Sequence, residues 1–397
     1  MSYDVVIVGG GVAGLSAAIE CERASLSWCL LEADSQLGGR IKTTSIDGFL
    51  CDHGFQVLLP GYATAKSLLD YSALELQYFP RGAQIKGKGV SWFGLPGMYP
   101  RKFQVGNKMK LGFLDYVNLG IDSLMGRYPK QEYQSEKNLR DYLEKKYASH
   151  TYSEFLKPFF QGVFLDDKLA VSVSLYRYYL SLFLRYGSAI PKYGMQQIPL
   201  HLSNQLNAQH IRLSTKVTKV EDNHVYVSSS EKITFRHLVV ATDIASVPIK
   251  DVDVSNQDTS VVSTTFFVAD SVDGLAPLVF FPEATNCQQV AIPSLVSSAY
   301  APAGKHLIMC SELQATPSSP KEIQKELNRF LAGQASKWSY LYSHTAHMAL
   351  PRPMKKPDSL SSQYEFCGDW TQFSSIEGAM KSGVLAVQQI LKKDRSF

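Results

Sequence analysis

Three glycines near the start of the chain, Gly9, Gly11 and Gly14, fall at the spacing GxGxxG. That spacing suits one task, the holding of a pyrophosphate. The first glycine permits a tight turn, the second lets backbone approach the anion, and the third lets a helix pack closely on a strand. The start of the helix that follows the turn would offer its unpaired N–H groups and partial positive charge to the same anion. Glu32 stands about 20 residues further on, beside Ala33, where a carboxylate accepts hydrogen bonds from ribose hydroxyls and repels a 2′-phosphate. Leu37-Gly38-Gly39-Arg40 follows. Its glycines allow a second close approach, and Arg40 adds charge-assisted bonds. Far along the chain, Phe366-Cys367-Gly368-Asp369 places a carboxylate at a strand tip.

A second glycine pair just after Glu32 points to FAD rather than NAD, and the Glu32 carboxylate argues against NADP. Asp369 could then accept from a ribityl chain. A helix starting near Ile376 would aim its N–H groups at the flavin's pyrimidine edge, where positive potential stabilises the reduced, anionic ring.

Other chemistry has little support. The six cysteines, Cys21, Cys29, Cys51, Cys287, Cys310 and Cys367, form no CxxC and lie at no metal-ligand spacing with histidine. They read as free thiols of a reducing compartment. The nine histidines are dispersed, and no Ser/His/Asp set emerges. His53 is singled out because its neighbours are expected near the flavin ring, although a structural role suits it better. Asp166-Asp167 could pair in catalysis, but a solvated loop explains them more simply. A net charge of +4 in 397 residues, without a basic block, excludes nucleic acid as a partner and leaves contact with an anionic membrane open.

The elements that would position these groups are legible in part. Val5-Val6-Ile7-Val8 reads as a buried parallel strand, residues 15–22 as a helix and 28–31 as a second strand. Residues 81–128 mix Gly, Pro, Lys and aromatics without a period. Ser135 reads as the N-cap of a helix carrying Leu139, Tyr142, Leu143 and Tyr147 on one face. Phe155, Phe159 and Phe160 lie on a helical piece broken near Pro158. Leu175, Tyr178, Tyr179, Leu182, Phe183 and Tyr186 repeat at helical spacing. Residues 198–206 form a further helix, 211–213 and 217–220 short strands, and 225–233 a hairpin followed by a buried strand at 237–241. Strands at 261–268 and 278–281 belong to a second sheet. Helices at 321–331 and 376–391 flank a strand at 364–367.

The late stretches Gly368-Asp369-Trp370-Thr371 and Ser375-Ile376-Glu377-Gly378-Ala379, with Asp52-His53-Gly54-Phe55-Gln56 and the glycine motifs, resemble the flavin-containing amine oxidase superfamily. The similarity is nearest the phytoene desaturase type of plants and cyanobacteria. It is good at both ends of the chain and loose over 71–190 and 251–350. The resemblance implies that Gly9, Gly11, Ala13, Gly14, Glu32, Ala33, Gly39 and Arg40 hold the adenosine diphosphate part. It sets Val217 beside the adenine, Gly368 and Asp369 at the ribityl chain, and Ile376 and Gly54 near the ring. Two departures stand out. Ser375 occupies the place where amine oxidases of this group carry an aromatic of the amine cage. No cysteine occupies the stretch where a covalent flavin thioether would form, so FAD is expected to be noncovalent.

The expected architecture is α/β: a discontinuous Rossmann-type FAD-binding domain (1–70, 190–250, 350–397) and a mixed α+β substrate or cap domain (71–189, 251–349). The expected function is an FAD-dependent oxidoreductase that removes hydride from carbon of an apolar, isoprenoid or polyene-like substrate. The alternatives are amine or protoporphyrinogen oxidation, or a non-redox flavin-dependent isomerase. Residues 5–19 are too short to span a bilayer and too rich in glycine for a signal peptide. A cytoplasmic protein is expected, with peripheral membrane contact through residues 90–114, where Trp92, Phe93, Leu95, Met98, Phe103 and Leu111 lie among Arg101, Lys102, Lys108 and Lys110.

Overall fold

The computed structural model describes residues 2–87, 90–94, 107–108, 111–129, 138–227, 231–243, 246, 259–352 and 363–395. The run Val5–Val8 lies within the strand Ser2–Val8, covered on both faces. Val5 and Ile7 pack into one hydrophobic cluster, Val6 and Val8 into another, the two-residue alternation of a strand buried between layers. Its sheet runs in the order Ile211–Arg212, Trp28–Leu31, Ser2–Val8, Lys232–Val240, His224–Tyr226, Lys219–Glu221, with Tyr364–Phe366 also on Lys232–Val240.

Register explains the site. Val8 pairs in parallel with Leu31 and with Val240, and Val240 with Phe366. Four parallel strands therefore end level, and the residues that follow them gather at one carboxyl edge, the place where open α/β sheets bind ligands. Segments from both chain ends thus share one sheet. Lys232–Val240 is a single strand, where the sequence suggested a hairpin arm and a separate strand. It pairs antiparallel with His224–Tyr226 at its start and in parallel with Ser2–Val8 along most of its length. Its exposed early part alternates, and its buried end does not.

The helix Val12–Arg23 packs against the C-terminal helix Ile376–Asp394. A Cβ on Gly14 would meet the Gly9 carbonyl oxygen at 1.9 Å, and one on Gly383 would meet that of Ala13 at 2.1 Å. Both close approaches require glycine.

A second, mixed sheet runs Ser339–Pro351, Thr259–Ala269, His306–Glu312, Gln289–Ala291, Leu278–Phe280, Gly82–Lys86, Val90–Gly94, Asn107–Lys108. The last three strands fall where no period was visible in the sequence. They are short and hold few regular alternations. Helices Phe113–Leu124, Leu139–Lys146, Lys157–Phe164 and Val173–Tyr186 accompany this sheet. Ser135 lies outside the described residues. The cap of Leu139–Lys146 is Asn138, whose side chain accepts from the Arg140 N–H at 2.9 Å. Nor does Pro158 break a helix. A π-helical turn, Tyr152–Leu156, leads directly into Lys157–Phe164, so the helical run changes type next to Pro158, which has no N–H to donate to the preceding turn. No described helix is long and apolar enough to cross a membrane. All six cysteines are buried free thiols.

Candidate functional site

One cavity of about 1270 Å³ runs from the level strand ends to the helices below the second sheet. At its first end, Gly9, Gly11, Ala13, Glu32, Ala33, Gly39, Arg40, Gly54, Gly368, Asp369 and Ile376 all line the wall. The two glycine turns touch: Gly11 bridges Gly38, and a Cβ on Gly39 would lie 3.2 Å from the Gly11 Cα. Side chains here would fill the cradle, so the bare backbone fits a pyrophosphate. Glu32 Oε2 accepts from the Gly10 N–H at 2.6 Å, and Oε1 from the Asp34 N–H at 2.8 Å. The carboxylate is thus oriented, and each oxygen keeps a lone pair for a ribose hydroxyl. Gln56 also lines the cavity, and its Oε1 is buried without a partner, which leaves an acceptor for a bound group.

Arg40 and Asp369 were assigned separate duties in the sequence. In the fold they pair, Nη2 to Oδ1 at 2.5 Å and Nη1 to Oδ2 at 3.1 Å. The fork spans 329 positions of sequence and ties the second glycine turn to the strand tip after Phe366. Asp243 also lines this end. Burial pushes its carboxyl above the usual range against the pull of Arg40. The C-terminal helix points its start into the cavity with Ile376 and Ala379 in the wall. Ser375 is its N-cap, accepting from the Gly378 N–H at 2.8 Å. Glu377 is fully buried and accepts from the Thr64 and Ala65 N–H groups at 2.9 and 3.1 Å. It caps the helix Ala63–Leu68 and so has a structural duty.

The other end is aromatic. Phe93 stacks on Phe155 with centroids 3.5 Å apart, and Phe155 on Phe159 at 5.1 Å. Phe159 meets Phe183 and Phe280 edge to face at 5.2 and 5.9 Å. All five rings line the cavity, and Arg81 and Asp167 are charged residues of this end.

Between the ends lies His53. Its ring is 4.3 Å from that of His344, and Nε2 is 2.8 Å from Thr44 Oγ1. Burial, then His344 and Lys42, push it down to about 4, and burial also holds His344 below the usual range. Both imidazoles are neutral at neutral pH. Behind them, the buried Asp52 accepts from Thr43 Oγ1 at 2.6 Å, the Met195 N–H at 3.0 Å and Tyr300 Oη at 2.7 Å. Burial raises it to about 6 against these donors. No sequence signal marks His344 or Asp243, whereas Gln56 belongs to the stretch Asp52-His53-Gly54-Phe55-Gln56.

Some expected residues stand elsewhere. Gly14 and Val217 do not line the cavity. Gly14 lies at the helix–strand contact, and Val217 is buried in the cluster with Val6, Val8 and Leu31. Asp166 is buried rather than solvated, and its side chain accepts from the Lys168 and Ala170 N–H groups at 3.0 and 2.6 Å. Of the segment 90–114, residues 95–106, 109 and 110 lie outside the described residues. Trp92 is 4% exposed and Phe93 is stacked in the cavity wall, so neither ring is available to enter lipid. Among the described residues no His, Cys, Asp and Glu cluster could hold a metal.

The family model for flavin containing amine oxidoreductase matches residues 12–257. The chain is similar to the coproporphyrinogen III oxidase of Bacillus subtilis (strain 168), 24% identical over 239 residues, 55% of this chain and 50% of that protein. The chain thus matches about half the length of this curated relative. A shorter stretch of 51 residues is 49% identical to the carotenoid 3,4-desaturase of Haloarcula japonica, covering 13% of this chain and 10% of that protein. Among solved structures, a variant of putrescine oxidase superposes with a TM-score of 0.73 at 15% identity over 98% of this chain and 99% of that one. At that identity the likeness is one of fold: a Rossmann-type nucleotide domain joined to a mixed-sheet substrate domain.

Proposed function

This chain belongs to the flavin containing amine oxidoreductase family, and from that premise we propose that it binds FAD without a covalent link and oxidises an apolar substrate at carbon. The observation that carries the substrate class is the group of packed phenylalanines, Phe93, Phe155, Phe159, Phe183 and Phe280, at the end of the cavity away from the glycine turns. Such a wall holds a molecule by burial of apolar area. The rings themselves offer no fixed hydrogen bond to a small polar amine, although Arg81 and Asp167 stand at the same end. Ser375, engaged as a helix cap, supplies no aromatic face there.

In this reading Gly9, Gly11, Gly39 and the start of Val12–Arg23 hold the pyrophosphate, Glu32 the ribose, and Asp369 the ribityl chain with Arg40 fixing its carboxylate. Bound FAD supplies the acceptance of a hydride from carbon. The residues of the chain do the rest. The start of Ile376–Asp394 presents N–H groups and positive potential. The phenylalanines orient the substrate and exclude water. His53 and His344, both neutral, add no positive charge of their own to the middle of the cavity. One relative is named for a carotenoid and another for coproporphyrinogen III, and the first of these names supports an apolar substrate in a cavity of about 1270 Å³.

The test is anaerobic mixing of FAD-loaded protein with a long polyene in mild detergent, a porphyrinogen and a short polar amine, followed by flavin absorbance. Bleaching by the polyene is expected. Catalytic bleaching by the short amine instead would overturn the substrate class, and bleaching by the porphyrinogen alone would move it to tetrapyrroles.

A further inference from the structure

Among the described residues, the helix Phe113–Leu124 keeps one face exposed. Phe113, Leu114 and Leu124 are 81%, 73% and 77% exposed, with Val117, Ile121 and Met125 exposed beside them. At 100° per residue these six side chains fall within an arc of about 120°. No charge stands on that arc. The helix has two carboxylates, and both turn inward: Asp115 accepts from Thr151 Oγ1 at 2.6 Å and the Ala148 N–H at 3.1 Å. Asp122 accepts from Tyr142 and Tyr147 hydroxyls at 2.6 and 2.8 Å and pairs with Lys146 and Arg177 at 2.7 and 3.0 Å. The remaining arc of the helix carries Tyr116, Leu119 and Gly120, which line the cavity. Gly120 and Tyr116 are also exposed, so the cavity wall and the outer apolar face meet along this helix.

We propose that this face docks on a lipid surface and opens the cavity toward it. A contiguous apolar patch of this kind is uncommon on a soluble monomer. A specific protein interface carries about one hydrogen bond per 100–200 Å², and the arc offers no side-chain donor or acceptor to fix a register. Lipid needs none. Arg127, exposed just past the helix, and a net charge of +4 suit anionic headgroups. Twelve residues are too few to span a bilayer, which takes about 20, so the helix lies in the interface plane. An apolar substrate would pass from the bilayer along Tyr116 and Gly120. This purpose rests on the apolar-substrate reading, but the docking itself is measured without substrate.

The experiment sediments FAD-loaded full-length protein with vesicles of phosphatidylcholine and phosphatidylglycerol, comparing wild type with Leu114→Glu/Leu124→Glu and with Phe113→Ser/Val117→Ser. Wild type should pellet with vesicles, and each variant should lose roughly tenfold or more of its partitioning while keeping its flavin spectrum. Equal pelleting of all three, or none pelleting, overturns the proposal. A wild type that elutes as a dimer while the variants elute as monomers also overturns it, making the face a contact between copies. Vesicle binding without polyene turnover leaves the surface standing and removes the substrate reading. Turnover without vesicle binding does the reverse.

Discussion

The two ends of the cavity are built by different means. The glycine end is made of backbone: level strand ends, two turns in contact and a helix start, with a few charged side chains set by hydrogen bonds. The phenylalanine end is made of side chains from four separate segments, held by packing alone. A backbone site tolerates little change of shape, since a Cβ on Gly9, Gly14 or Gly38 would lie 2.7, 1.9 or 2.6 Å from its nearest neighbour. A packed aromatic wall tolerates substitution by repacking. The first end is therefore suited to one invariant group, the second to a substrate that differs between relatives.

The sharpest way to break this contrast is Gly14→Val. With a Cβ already 1.9 Å from the Gly9 carbonyl oxygen, a cost upward of about 3 kcal/mol is expected, with loss of flavin and a lower melting temperature. Normal flavin content would show that the close helix–strand approach is dispensable.

Next come Glu32→Ala and Asp369→Ala. Each removes a charged acceptor and should weaken FAD by about 1–3 kcal/mol, read by titrating apoprotein, with the fold intact at saturating FAD. Asp369→Ala also unpairs Arg40, so its effect should be the larger. Unchanged affinity in both would remove the ribose and ribityl assignments.

Phe159→Ser should act at the other end only. It should raise the KM for the apolar substrate by about 1–2 kcal/mol and leave FAD affinity alone. An equal loss of FAD affinity would mean that the ends are not separable.

The smallest effect lies between the ends. His53, held at about 4, stabilises the fold while neutral. Its contribution is present above about 6.5, the ordinary histidine value, and is lost as pH falls through about 4. Asp52, at about 6, has the opposite sign: its contribution is present below the ordinary carboxyl value and is lost as pH rises through about 6. In melting curves against pH, His53→Gln should lose less stability than wild type on acidification, by about 1 kcal/mol after solvent screening. Parallel curves would show that His53 is not held neutral by the fold.

The same contrast decides what could be read in the sequence. Gly9, Gly11, Glu32 and Gly39 were legible because backbone chemistry is encoded locally, in spacing and in a β-branched run. The Arg40–Asp369 fork was not, because only the register of Tyr364–Phe366 on Lys232–Val240 brings the two together. Gly82–Lys86 and Ser339–Pro351 escaped notice for another reason: one is short among Gly, Lys and aromatics, and the other is half-covered on both faces, so neither alternates cleanly. The phenylalanines at 155–164 were visible as a group, but not the inward burial of Trp92, which depends on the strand Val90–Gly94 joining the second sheet. The exposed face of Phe113–Leu124 was hidden because an apolar helix residue reads as core until the fold shows what covers it.

The most direct measurement is acid precipitation of the purified yellow protein. FAD should appear in the supernatant over a colourless pellet, as expected for a dinucleotide held only by the two glycine turns, Glu32 and the Arg40–Asp369 fork. Flavin retained in the pellet would contradict noncovalent binding, and FMN in the supernatant would contradict the dinucleotide site itself.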